Sequence, residues 1–138
     1  LKGRLQEIKS GKLKDLVGPN RLICDGGHNI NAAKAITNWV EQQNHDVHLI
    51  VGMMKDKDHM GFIDCFKNKV KSITLIDIPN QEESISKEEL KNKLDGNNKK
   101  INLCKNIKES IQSINKYQNK ICLVSGSLYL IGEVLNLN

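Results

Sequence analysis

Aromatic side chains are nearly missing from this 138-residue chain, with two Phe, two Tyr and one Trp making up 4% of it. A surface that stacks on bases needs several such rings beside a basic stripe, so nucleic-acid binding is not expected. The formal charge of +5 comes from lysines spread along the whole length. No block of one sign stands out, and a coding bias toward A and T, which also favours Lys, Asn and Ile, accounts for the excess. No apolar run approaches the roughly twenty residues of a membrane span. No signal-peptide pattern opens the chain, and a cytoplasmic protein is expected. The four cysteines, Cys24, Cys65, Cys104 and Cys122, include no C-x-x-C pair. Three of them sit in strand-like apolar runs, which reads as reduced core thiols rather than a disulfide or metal framework. His45 and His48 stand three apart, but a metal centre needs further ligands and none is in view, so no metal site is predicted on this chain.

What is present reads as a globular domain. Hydrophobic residues at 38% and charged residues at 27% fit a packed core with a solvated surface, and the length suits one domain, not two. From position 21 onward, short apolar runs alternate with helical patterns. Strands are predicted at Arg21 to Cys24, Val47 to Val51, Ser72 to Ile76, Ile101 to Cys104 and Ile121 to Val124. Between them, apolar residues recur at helical spacing: Ala32, Ala33, Ile36 and Val40; Phe62, Ile63, Phe66 and Val70; and Ile107, Ile111 and Ile114. Shorter helices are predicted at Lys87 to Leu94 and Leu128 to Leu135, a polar loop at Pro79 to Ser84 and a turn at Asp95 to Asn98. This alternation implies a Rossmann-like α/β fold, a mostly parallel sheet with helices on both faces and right-handed crossovers. Residues 1–20, punctuated by Gly3, Gly11, Gly18 and Pro19, read as an extended interdomain arm or short β piece before the α/β core of 21–138. Because the chain starts at Leu1 rather than Met, a cut piece is expected, its N-terminal partner domain lying upstream.

In open α/β sheets ligands bind beyond the carboxyl ends of the strands. Those positions here carry Asp25-Gly26-Gly27-His28-Asn29, Gly52 followed by Lys55-Asp56-Lys57-Asp58, Asp77, and Ser125-Gly126-Ser127. A carboxylate, two glycines and an imidazole before a helix N-terminus suit a nucleotide or another anion. Each piece also has a plainer reading. Asp25 fits a cap or turn, the glycines a tight bend, His28 a solvated loop, Ser127 a helix cap, and Lys55 to Asp58 a solvated charge run.

Taken together, four fragments carry a resemblance: Gly3-Arg4-Leu5-Gln6, Asp25-Gly26-Gly27-His28-Asn29, Gly52-Met53 with Lys57-Asp58, and Gly126-Ser127-Leu128-Tyr129-Leu130-Ile131-Gly132-Glu133. In this order and spacing the chain resembles, over essentially its whole length, the C-terminal domain of the folylpolyglutamate synthase and dihydrofolate synthase family, a branch of the Mur ligase superfamily. The family form D-G-A-H-N-P differs at Gly27 and Ile30, and without the proline the helix entry is less fixed.

The resemblance implies an ATP-dependent ligase that joins L-glutamate to dihydropteroate or folylpolyglutamate through an acyl phosphate. ATP and Mg2+ would serve it, with the metal ligands and phosphate-binding loop mainly on an N-terminal ATPase domain. No G-x-x-x-x-G-K-[ST] occurs here, so half a site is expected and the isolated domain should be inactive. The resemblance further implies Arg4 and Asp25 as nucleotide contacts, His28 as the catalytic residue near the reacting phosphate or amino acid, and Ser127 as a glutamate contact. Lys57 is a further candidate for an anion contact. Asp25 is placed on the rim, so its loss is expected to cost activity and spare the fold. Two other classes remain: a Mur-type ligase for another amino-acid amide, and a non-catalytic nucleotide- or anion-binding module.

Overall fold

A computed structural model describes residues 3–94, 101–115 and 119–138. Six strands form one sheet in the order β1-β2-β6-β3-β4-β5. They are β1 (Gln6–Ile8), β2 (Arg21–Asp25), β3 (Asp46–Val51), β4 (Ser72–Leu75), β5 (Ile101–Leu103) and β6 (Lys120–Ser125). β1 runs antiparallel to β2 at the edge, and every other pairing is parallel. The five predicted strands are all present, with ends shifted by a residue or so. Central strands of a parallel sheet are covered on both faces, so they read as continuous apolar runs. Five of the six residues of β3 are buried, and five of six in β6.

Alternation within those runs divides the core in two. Ile23, Leu49, Val51 and Leu123 face α2 (Ile30–Glu41), α3 (His59–Asp64) and α4 (Lys87–Lys93). Leu22, Cys24, Ile50, Cys122 and Val124 face α1 (Lys12–Val17), α5 (Ile107–Asn115) and α6 (Leu128–Leu137). Helices thus cover both faces, as expected. Burial pushes the Cys24 thiol up to about 12, and Cys122 is raised further by its fully buried place. All four cysteines are free, and only Cys65 is more than marginally open to solvent. No helix among the described residues is long and apolar enough to cross a membrane.

Residues 3–20 depart from a simple arm. The short β piece is there as β1, but Lys12–Val17 forms a helix whose Leu13 and Val17 are buried. Its first N–H groups lack an N-cap side chain at Gly11. The side chain of Asn138, from the far end of the chain, accepts from the N–H groups of Leu13 and Lys14 at 3.0 and 3.2 Å instead. The predicted turn at Asp95 to Asn98 lies outside the described residues.

Candidate functional site

The parallel register sets three strand ends level, Asp25 beside Ser125 and Ser125 beside Val51. The loops that follow are stitched together. Gly126 N–H donates to the Gly27 carbonyl at 3.1 Å and Gly52 N–H to the Ser125 carbonyl at 3.4 Å. Gly126 has φ +115°, and a Cβ there would stand 2.4 Å from the Gly52 carbonyl oxygen, so the crossing of these loops requires glycine. Gly26 and Gly27 have no positive φ; closeness is what they supply. A Cβ at Gly26 would come within 2.3 Å of the Leu128 side chain, and one at Gly27 within 2.6 Å of Ala32 Cβ.

Asp25 sits at the strand end, but it is only 5% exposed. One carboxylate oxygen accepts the Leu5 N–H at 3.0 Å and the other the Gly27 N–H at 2.7 Å. Gly26 N–H in turn donates to the Gly3 carbonyl. These bonds fold Gly3 to Leu5 onto the Asp25 turn, and they bring Arg4, an exposed side chain, to the site. At the next position His28 is half-buried, and its Nδ1 is buried without a hydrogen-bond partner among the described residues. Asn29 caps α2, its side chain accepting from Ala32 N–H at 2.8 Å, which fixes a helix entry that has Ile30 in place of proline.

Ser127 is 3% exposed and caps α6, its Oγ accepting from Tyr129 N–H at 3.1 Å. Lys57 Nζ lies 3.9 Å from an Asp56 carboxylate oxygen, a long pair for a half-buried side chain.

Two clefts open on this edge. One, of about 370 Å³, has Arg4, Asp25, Gly26, Gly27 and His28 in its walls. The other, of about 410 Å³, is lined by His28, Lys57, Gly126 and Ser127, with Met54 and Glu83. His28 and Leu128 belong to both. All five predicted site residues therefore gather at one edge of the sheet, but Arg4 and Ser127 do not share a cleft. Size is no guide to this place, since a concavity of about 570 Å³ lies elsewhere, against His48, Lys71, Asn102 and Lys120. Glu83 was not singled out from sequence. It sits in the polar loop after Pro79 and reaches the cleft because the Lys55 N–H donates to its carbonyl at 2.7 Å and Met54 bridges Ser84.

The arrangement fits a phosphate-bearing ligand: a cation, glycines at close approach, and an imidazole side chain shared by both clefts. No group of three His, Cys, Asp or Glu side chains converges among the described residues.

A mostly parallel sheet with helices on both faces and paired clefts at its carboxyl edge defines an α/β domain of the open-sheet class. A family model described as the Mur ligase, glutamate ligase domain matches residues 3–128, and the chain belongs to that family. A curated relative, the dihydrofolate synthase/folylpolyglutamate synthase of Buchnera aphidicola subsp. Schizaphis graminum, is 28% identical over 142 residues, covering 99% of this chain and 33% of the relative. Among solved structures, the bifunctional folylpolyglutamate synthase/dihydrofolate synthase of Yersinia pestis complexed with AMPPNP and Mn ion superposes with a TM-score of 0.79. It is 23% identical over 99% of this chain and 31% of its own. The E. coli FolC in complex with ADP gives 0.76 at 23% identity, again over 99% and 31%. The chain spans about a third of the length of these relatives. The resemblance read from the motifs and the α/β fold read from the alternation both hold.

Proposed function

We propose that this chain is the C-terminal domain of an ATP-dependent ligase that joins L-glutamate to dihydropteroate, folylpolyglutamate or both. The observation that carries the reading is His28, which lines both the cleft of Arg4 and Asp25 and the cleft of Lys57 and Ser127. The first cleft suits the nucleotide and the second the incoming amino acid.

In the reaction a substrate carboxylate oxygen attacks the γ-phosphorus of ATP and ADP leaves. The amine nitrogen of glutamate then attacks the acyl carbon, phosphate departs with the C–O bonding pair, and the amine gives up a proton. Arg4 offsets charge on the phosphate side. Asp25 holds the arm that carries Arg4, and each of its oxygens keeps a lone pair for the nucleotide. His28 stands where a single group can meet both the phosphate and the amine, and can hold the proton lost there. Ser127 and Lys57 face the carboxylates of glutamate. Mg2+ would offset phosphate charge in the assembled enzyme, from ligands on an N-terminal ATPase domain. With half of the site elsewhere, residues 1–138 alone should not ligate.

Ser127→Ala in the full-length protein is expected to raise KM for glutamate by roughly ten- to a hundredfold, as one hydrogen bond to a charged group is lost, while KM for ATP stays within about twofold. A melt recorded in parallel separates the cap, worth about 1 kcal/mol of stability. An ATP-selective defect would move Ser127 to the nucleotide side, and no kinetic defect would leave it a helix cap only.

A further inference from the structure

His59 belongs to no motif, yet it is the most tightly held histidine beside the second cleft. It opens α3 directly after the Asp58 cap and is 3% exposed. Both ring nitrogens are engaged: Nε2 lies 2.8 Å from the Met54 carbonyl oxygen and Nδ1 3.1 Å from Lys93 Nζ on α4. The partners fix the tautomer. A carbonyl only accepts and an ammonium only donates, so Nε2 carries the hydrogen and Nδ1 accepts.

The Met54 carbonyl is where the cleft loop is fastened. On one side Ile85 N–H donates to the Met53 carbonyl at 2.9 Å, Lys55 N–H donates to the Glu83 carbonyl at 2.7 Å, and Met54 bridges Ser84. His59 reaches back from the other side and closes the turn of Lys55, Asp56 and Lys57. Met54, Asp56 and Lys57 all line the cleft that holds Ser127, whereas His59 itself does not. Without this bond the turn would be tied across the loop only by its pairing with the Glu83 to Ile85 segment, and the backbone that carries Lys57 into the cleft of Ser127 would lose an anchor.

Resting on the ligase reading for the identity of the ligand, we propose that His59 is a positioning residue for the amino-acid cleft. Through its Nε2–H bond to Met54, with Lys93 setting the tautomer, it holds the Lys55–Lys57 turn in the shape that binds glutamate. It touches neither glutamate nor nucleotide.

The test compares His59→Leu, which removes both ring bonds, with His59→Gln, whose amide N–H can still reach the Met54 carbonyl. Lys93→Met removes only the Nδ1 partner. In the full-length protein, His59→Leu is expected to raise KM for glutamate about five- to tenfold, the weight of one buried hydrogen bond, with KM for ATP within about twofold. His59→Gln should restore glutamate KM to within about twofold of wild type, and Lys93→Met should fall between the two. Amide exchange of the 52–58 segment should quicken in the Leu variant and not in the Gln variant. Equal rises in both KM values, or a Gln variant as defective as Leu, would overturn the proposal. Should His59→Leu fail to fold, unchanged glutamate KM and unchanged exchange in Lys93→Met would overturn it as well. A wild-type protein without ligase activity would count against the ligase reading, and the exchange comparison would still decide whether His59 holds the turn.

Discussion

Asp25→Ala is expected to destabilise the domain by about 2 to 5 kcal/mol, because the buried carboxylate leaves two backbone N–H groups, of Leu5 and Gly27, without an acceptor. The sequence placed this residue on a rim where its loss would spare the fold. The structure ties it to both the arm and the turn. A chain of this size should show a fall in Tm on the order of 10 °C. Asp25→Asn keeps one acceptor oxygen and should lose less than the alanine variant. Urea titration of all three proteins checks the order. If the alanine variant melts with the wild type, those two hydrogen bonds carry no weight and Asp25 is available wholly for a ligand.

His28→Ala should have the converse signature. The side chain is half-buried and its Nδ1 has no partner to abandon, so stability should change by less than about 1 kcal/mol. In the full-length protein kcat should fall by about a hundredfold or more, as for loss of a general acid or base. Single-turnover amide formation, measured with saturating glutamate, isolates this step from binding. A variant that retains most of its kcat would make His28 a wall of the clefts only.

Legibility followed burial. The five parallel strands were readable because Leu22-Ile23-Cys24, Val47 to Val51 and their neighbours are covered on both faces and so carry unbroken apolar runs. Helix α1 was not, since six residues with two buried positions give barely one helical repeat, and its capping residue lies at position 138. For Phe62, Ile63, Phe66 and Val70 the periodicity ran past the real helix end: Phe66 and Val70 are buried, but they pack from the segment that follows Asp64 rather than from α3.

The site divided along a similar line. Asp25 at the end of β2, and His28 and Ser127 just beyond β2 and β6, could be placed at this edge from the sequence because clefts in open sheets lie beyond the carboxyl ends of the strands. Their division between two clefts was not legible, since it depends on Leu128 and on the fold of Gly3 to Leu5 over the Asp25 turn. Glu83 and His59 are brought to this edge by a backbone bridge and a ring-to-carbonyl bond across loops, neither of which leaves a spacing in the sequence.

The most direct measurement is glutamate-dependent ADP release with dihydropteroate and with a folylpolyglutamate as acceptors, by the full-length protein and by residues 1–138 alone. The half-site account predicts release by the full-length protein with at least one acceptor, lost without glutamate, and none from the isolated chain. Release by the isolated chain that survives repurification would contradict it, as would a full-length protein that turns over ATP equally with and without glutamate.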